Sequence, residues 1–203
     1  MELIPITSNL AHNIALLHMA GIRNGFLTSL GPSFLTKLYL TTATCSFCFG
    51  YAAVKDQALL GYAVFSEDLG RLYRLFFKKH WWRLLLMLTP TLSPKKIKGI
   101  MENLFYPTRI SKLNLPKASL LAIIVAEHAR NQNIAKRLIL RGLDEFRQRG
   151  INRVRVLTSY ENDAANTLYK KCGFERACLI NNHGIPSYFY VIDLQKNSSK
   201  LMV

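Results

Sequence analysis

An apolar run from Ala118 to Val125 is handed through a polar elbow, Arg130-Asn131-Gln132-Asn133, to a helix pattern extending to about Arg149. No other feature limits the possible folds as strongly. A strand with no polar alternation is buried on both faces, so it must lie inside a sheet covered by helices. The elbow adds a chemical constraint. The first backbone N–H groups of a helix have no partner within it, and the helix dipole places partial positive charge beside them. Such a junction suits an anion. The phosphate loop G-x-x-x-x-G-K-[ST] and the dinucleotide motif G-x-G-x-x-G are both absent, so the usual nucleotide versions of this junction do not apply.

The flanking sequence continues the layered pattern. Val154–Thr158 reads as a strand and Asp163–Cys172 as a short helix, and Gly150 and Gly173 stand just past the two helices, where a left-handed residue is common. Two further strands are predicted at Phe174–Ile180 and Ser187–Leu194. Upstream, residues 1–7 read as a strand, and Ser8 or Asn9 as the cap of a helix reaching Gly21. A second helix is predicted near Pro32–Tyr39. Phe47–Val54 and Ala58–Phe65 form a predicted hairpin about Lys55-Asp56-Gln57.

At 203 residues and half hydrophobic, the chain has material for one well-buried domain, expected to span 1–195 with a frayed polar tail over 196–203. Its four cysteines form no disulfide framework, and Cys45-Ser46-Phe47-Cys48 lacks a second ligand pair for zinc, so no metal is expected. The first twenty residues do not follow the pattern of an export signal, and the apolar runs fall short of the roughly 20 residues that span a bilayer. A cytoplasmic protein, soluble or peripheral to the membrane, is expected. The formal charge of +15 implies attraction to something anionic.

Arg130-Asn131-Gln132-Asn133-Ile134-Ala135 resembles the [RQ]-x-x-G-x-[GA] signature of the GNAT superfamily of acyl-CoA-dependent N-acetyltransferases, with Arg130 and Ala135 matching and Asn133 in place of glycine. Asparagine is the least costly non-glycine residue in a left-handed conformation, so the exchange is expected to weaken the loop without abolishing it. Asn162-Asp163-Ala164-Ala165-Asn166-Thr167-Leu168-Tyr169 followed by Lys170-Lys171-Cys172-Gly173-Phe174 is similar to the family's N-x-x-A-x-x-[LF]-Y-x-x-x-G-F element. Gly25 to Gly31, with Phe34-Leu35 and Leu38-Tyr39, resembles the acceptor-side helices of one subgroup. The resemblance implies an α/β (α+β) GNAT fold: a central mixed, mostly antiparallel twisted sheet of six to seven strands flanked by helices, with a helical insertion before the coenzyme-binding strand.

The same resemblance implies acetyl-CoA as co-substrate and a small primary amine as acceptor, an amino sugar or a nucleotide- or lipid-linked precursor. Backbone N–H groups of Asn131, Gln132, Asn133, Ile134, Ala135 and Lys136, beside Arg130, would wrap the coenzyme diphosphate. The strand bearing Ile123, Ile124 and Val125 would splay from its neighbour and offer an N–H to the acetyl carbonyl. Asn162 and Asn166 would contact the coenzyme, with Asn162 also suited to capping its helix. Tyr169 is the implied general acid for the leaving thiolate, set against the plainer reading of a tyrosine packed on the sheet. A phenol near pKa 10 protonates a thiolate near 8.5 only uphill, by about 2 kcal/mol, so hydrogen bonding during departure is enough. The strand carries no carboxylate to deprotonate the amine. Glu67, Glu102, Glu127, His80, His128 and His183 remain open as the base, as does loss of the proton to water.

Residues 71–112 hold ten lysines and arginines against one acidic residue, Glu102, together with Trp81 and Trp82. Two helices broken near Thr89-Pro90 and Ser93-Pro94 are predicted there. The segment reads as a lid over the acceptor cleft, as a contact for an anionic ligand or membrane surface, or more weakly as an RNA contact; nucleic acid is not the expected partner. A catalytically weak GNAT-like fold serving as a basic membrane- or RNA-binding module is the alternative reading of the whole chain. Composition leaves the oligomeric state open, a homodimer included.

Overall fold

The computed structural model describes residues 1–23, 25–87, 113–182 and 184–196. Seven strands, β1 (Glu2–Pro5), β2 (Cys48–Lys55), β3 (Ala58–Ser66), β4 (Ser119–Val125), β5 (Arg153–Ser159), β6 (Glu175–Asn182) and β7 (Ile185–Asp193), form one sheet in the order β1-β2-β3-β4-β5-β7-β6. Only β4 and β5 run parallel; every other pair is antiparallel. The helices are α1 (Ala11–Gly21), α2 (Phe26–Ser29), α3 (Pro32–Thr44), α4 (Leu69–Met87), α5 (Ile134–Gln148) and α6 (Asp163–Lys171).

One face of the sheet is covered by α5 and α6. The residues α5 buries, Ile134, Leu138, Ile139, Leu143 and Phe146, recur at helical spacing and pack on Phe65, Val154, Val156 and Tyr190. On the other face, Ile14 and Ala15 of α1 and Leu35 and Tyr39 of α3 pack on Tyr62, Val64 and Ile124. The β4 run is thus enclosed on both sides, as its lack of alternation requires.

Several boundaries differ from the sequence reading. The segment after β1 is not one capped helix: Ser8–Leu10 is a 3-10 turn, and α1 begins at Ala11 with no side-chain cap. Helix α3 runs on to Thr44. The hydroxyls of Thr36, Thr41, Thr42 and Thr44 donate to carbonyls three or four residues back, so threonines with weak helix propensity are accommodated. The hairpin turn is two residues long, because Lys55 pairs with Ala58. Asp56 and Gln57 both have positive φ, 50° and 64°, as a two-residue turn between twisted strands demands. Gly150 (φ 72°) and Gly173 (φ 86°) are left-handed as expected.

Helix α4 starts at Leu69, where the Asp68 carboxylate accepts from the Arg71 N–H at 2.9 Å. It packs on α3 through Phe76, whose ring meets Phe34 edge-on at 5.0 Å. The predicted breaks at Thr89-Pro90 and Ser93-Pro94, the second helix of the insertion and the tail from 197 lie outside the described residues.

Candidate functional site: a parted sheet, a left-handed loop and a cavity

The site is built where β4 and β5 come apart. Their parallel ladder has two rungs, Ser119↔Arg155 and Leu120↔Val156. Beyond them β5 stays with β7 through Ser159, whereas β4 stays with β3 through Val125. The β3–β4 register slips at Leu121, so the strand turns at a bulge just as the gap opens. Backbone N–H groups alternate in direction along a strand. Since the Ala126 N–H donates to the Leu60 carbonyl at 2.8 Å, that of Ile124 also faces β3, and those of Ile123 and Val125 face the gap.

From the end of β4 the chain passes through a 3-10 turn, Glu127–Ala129, into the elbow. Asn131 (φ 62°) and Asn133 (φ 57°) are both left-handed. Asparagine tolerates this conformation better than other side-chain-bearing residues because its short polar group bonds locally. Left-handed residues so closely spaced turn the chain sharply, and successive N–H groups in such turns form concave sites that bind anions. Among the described residues, no acceptor is met by the N–H groups of Asn131 to Lys136; the first helical bond runs from the Arg137 N–H to the Asn133 carbonyl at 3.0 Å. Arg130, Asn131, Gln132 and Asn133 are exposed, while Ile134 is buried and anchors α5.

Helix α6 lies beside this loop: Lys136 is close enough to the buried Cys172 thiol to offset part of the rise that burial causes, leaving that thiol at about 11. Asn162 caps α6, its side-chain oxygen accepting from the Ala165 N–H at 3.1 Å. Asn166 ties α6 to the sheet. Its amide donates to the carbonyls of Ser159 and Tyr160, and its oxygen accepts from the Tyr190 hydroxyl at 3.0 Å. Tyr169 is 5% exposed, with its ring against Phe174 and Tyr190. Burial, reinforced by the Cys172 thiol, holds its hydroxyl well above the usual tyrosine range.

On the opposite face, a cavity of about 270 Å³ opens against the same parting of the strands. Helices α1, α3 and α4 contribute His18, Tyr39 and Tyr73, β4 contributes Ser119 to Ala122, and β5 contributes Arg155 and Leu157.

Residues 100–174 match the model of the Acetyltransferase (GNAT) family. Solved structures agree along nearly the whole chain. A spermidine N-acetyltransferase mutant from Vibrio cholerae aligns at 17% identity and a TM-score of 0.61, over 98% of this chain and 99% of that one. An N-acetyltransferase from Staphylococcus aureus Mu50 aligns at 16% and 0.62, over 96% and 99%. Arabidopsis thaliana NAA60, in complex with acetyl-CoA, aligns at 16% and 0.62, over 96% and 98%. The chain has the GNAT fold. No curated protein sequence matches it significantly.

Within this GNAT fold, the residues singled out from the sequence fall into one neighbourhood. Ile123 and Val125 edge the gap, residues 130–136 form the loop at its end, and α6 with Asn162, Asn166 and Tyr169 stands alongside. None of the described bases considered from sequence lines the cavity. Glu67 pairs with Arg149 at 3.0 Å, Glu127 and His128 are exposed beyond β4, and His80 lies near the Thr41 hydroxyl at 3.4 Å and against the Phe76 ring. Glu102 and His183 lie outside the described residues. Among the described residues, no three His, Cys, Asp or Glu side chains come together as a metal site. No described helix is long and apolar enough to cross a membrane.

Of the polar groups that line the cavity, Tyr39 falls in the stretch likened to acceptor-side helices, whereas His18, Tyr73 and Arg155 were not singled out from the sequence. His18 is 3% exposed and contacts the hydroxyls of Tyr39 and Tyr62, and burial lowers its pKa to about 4. It is therefore neutral at pH 7 and a weak proton acceptor for an amine, better suited to positioning than to deprotonation. Arg155, 5% exposed, lies over the Phe189 ring at 5.5 Å. It also holds down the Tyr73 hydroxyl, which burial nonetheless pushes up to about 12.

Proposed function

We propose that this chain is an N-acetyltransferase that moves an acetyl group from acetyl-CoA to the primary amine of a small acceptor. The observation that carries the reading is the run of unpartnered N–H groups from Asn131 to Lys136, curled by two left-handed asparagines beside the parted strands. A backbone cup of this kind suits a diphosphate, and Lys136 adds a cation next to it. The fold supports the same reading: Arabidopsis thaliana NAA60, whose structure this chain resembles, was solved with acetyl-CoA.

Acetyl-CoA would supply a thioester open to attack by an amine. The chain's contribution is then positional and electrostatic. The N–H of Ile123 or Val125 would orient the acetyl carbonyl and stabilise the charge that develops on its oxygen. The Tyr169 hydroxyl would donate a hydrogen bond to the departing sulfur. With its pKa raised further by burial, full proton transfer is more costly than the sequence suggested, so hydrogen bonding is the favoured role. Asn162 and Asn166 would set the α6 start against the coenzyme, Asn166 through the bonds that fasten the helix. The amine would lose its proton to water, since no carboxylate lines the cavity among the described residues.

Leu69, Leu72 and Tyr73 of α4 line the acceptor cavity, which favours the basic segment as a cover for this space over a separate nucleic-acid surface. Residues 1–195 would act as a single acetyltransferase domain in the cytoplasm. Titration calorimetry with acetyl-CoA, followed by thiol release across a panel of amines, tests the proposal. Saturable heat and turnover are expected; absence of heat at saturating acetyl-CoA would leave the non-enzymatic basic module in its place.

A further inference from the structure

The turn from α3 into β2 carries a Cys-x-x-Cys spacing, Cys45-Ser46-Phe47-Cys48, that the acetyltransferase reading leaves unused. Its backbone closes on itself, the Cys48 N–H donating to the Cys45 carbonyl at 3.2 Å. A turn closed in this way brings its first and last Cα atoms within about 7 Å, the upper limit for bridging two cysteines. The side chains converge as well: the Cys48 thiol lies within hydrogen-bonding reach of the Cys45 sulfur and of the Ser66 hydroxyl, the latter at 3.4 Å. The two thiols differ in access. Cys45 is half-buried, whereas Cys48, the first residue of β2, is 6% exposed. They differ in acidity too. A hydrogen bond from the Cys48 thiol, helped by backbone N–H groups and the Arg71 guanidinium, holds Cys45 below the usual cysteine range against the cost of its partial burial. The same contact, together with burial, holds Cys48 far above that range. Arg71 lies over the ring of Phe47, the residue before Cys48, at 4.2 Å. Because the thiolate is the nucleophile in sulfur exchange, the turn pairs an accessible attacking sulfur with a second one directly behind it.

We infer that Cys45 and Cys48 form a reversible dithiol/disulfide site, oxidised by low-molecular-weight disulfides such as oxidised glutathione, with Cys45 attacking and Cys48 resolving. The inference stands apart from the acetyltransferase reading and does not require acetyl-CoA to bind. In the first step the Cys45 thiolate attacks one sulfur of the small disulfide, whose S–S bond breaks to release one thiolate and leave a mixed disulfide on Cys45. In the second the Cys48 thiol gives its proton to solvent, its sulfur bonds to that of Cys45, and the second small thiolate departs. The protein loses two thiols and the oxidant becomes two thiols, so electrons balance. The loop so closed spans four residues, which constrains the unfolded chain little, so this bond is no structural staple. In a reducing compartment the pair rests as thiols and the bond forms transiently. Its formation removes two S–H donors, that of Cys45 to the Thr42 carbonyl at 3.8 Å and that of Cys48 to the Ser66 hydroxyl. Thr42 lines the cavity, and the Ser66 oxygen accepts from the Asp68 N–H at 3.2 Å just ahead of α4, so both lost bonds border the site.

Peptide mapping of the full chain after treatment with oxidised glutathione, followed by iodoacetamide, tests this directly. Both cysteines fall in one tryptic peptide, residues 38–55. That peptide should escape alkylation and weigh less by two hydrogens, while Cys172 and Cys178 stay free and alkylate once the chain is unfolded. Reduced glutathione in excess should reopen the bond. Cys48→Ser should stop at the first step and accumulate glutathione on Cys45, whereas Cys45→Ser should lose the reaction at Cys48 over the same interval. The unaltered protein can refute the inference without a variant that folds. A stable mixed disulfide on Cys45, two free thiols in the peptide, or a link between two chains would each overturn it. So would a bond that forms only in urea, because the folded turn would then not be its cause, and so would a bond that reduced glutathione fails to open.

Discussion

The hydroxyls of Tyr39 and Tyr62 lie 2.8 Å apart, and both approach Nδ1 of His18, at 2.5 and 3.1 Å, within the layer that joins α1 and α3 to the sheet. Burial lowers the His18 pKa from 6.5 to about 4. Above pH 6.5 the imidazole is neutral in both folded and unfolded chains, so it adds no pH dependence. Between 6.5 and 4 only the unfolded chain takes up the proton, and stability falls with pH. The full loss is roughly 3 kcal/mol. Urea midpoints at pH 7 and pH 4.5 measure it, and His18→Gln should flatten the slope in this window.

Asn133 holds α5 at its start in a conformation that asparagine tolerates and β-branched residues resist. Asn133→Val should introduce about 1–2 kcal/mol of backbone strain and weaken acetyl-CoA binding by about tenfold. Asn133→Gly should bind at least as well as the native chain, since glycine accepts positive φ without steric cost. Titration calorimetry on the two variants distinguishes a backbone role from a side-chain one: equal weakening in both would point to the asparagine amide itself.

Tyr169→Phe removes one hydroxyl and leaves the ring that packs on Phe174 and Tyr190. Under the proposed mechanism, kcat for thiol release should fall by about tenfold, the scale of one hydrogen bond to a charged group, with acetyl-CoA affinity close to native. An unaltered kcat would reduce Tyr169 to a core residue.

Gly142 on α5 faces the ring of Phe65 on β3, and a methyl group there would overlap that ring. Alanine favours a helix by up to ~1 kcal/mol, but overpacking costs about 1–3 kcal/mol. Overpacking wins, because Phe65 is itself wedged between Phe49 and Phe146. Gly142→Ala should lower Tm by several degrees and, by tilting α5, loosen the loop at its start.

Local features carried most of the fold into the sequence. The unbroken apolar run of β4 and the glycines after α5 and α6 are read from neighbours in the chain, as is the left-handed tolerance of Asn133. Chain-local reading also placed the loop between β4 and α5, because a loop made of backbone groups needs little more than the right strand and helix on either side. The cavity on the opposite face was legible only in part, through the stretch from Gly25 to Tyr39 that resembles acceptor-side helices. His18, Tyr73 and Arg155 lie on three different elements, and each resembles an ordinary helix or strand residue until the sheet brings them together. Arg155 alternates with Val154 and Val156, so in sequence it reads as the solvent side of a half-buried strand. The helices lying across that face turn the same position inward.

The two-rung junction of β4 and β5 leaves an internal margin in the middle of the sheet. On one side the amides of Ile123 and Val125 have no strand beside them, and on the other those of Leu157 and Ser159 share the direction of the Arg155 amide, away from β7. Exposed strand margins on a protein surface invite self-association, but this one lies in the middle of the sheet, between strands that are themselves paired on their other edges. A slender guest with amide groups of its own would complete the sheet as a substitute strand. Deuterium uptake at these four amides, rapid in the empty protein and slowed by coenzyme, would trace the outline of that missing strand residue by residue.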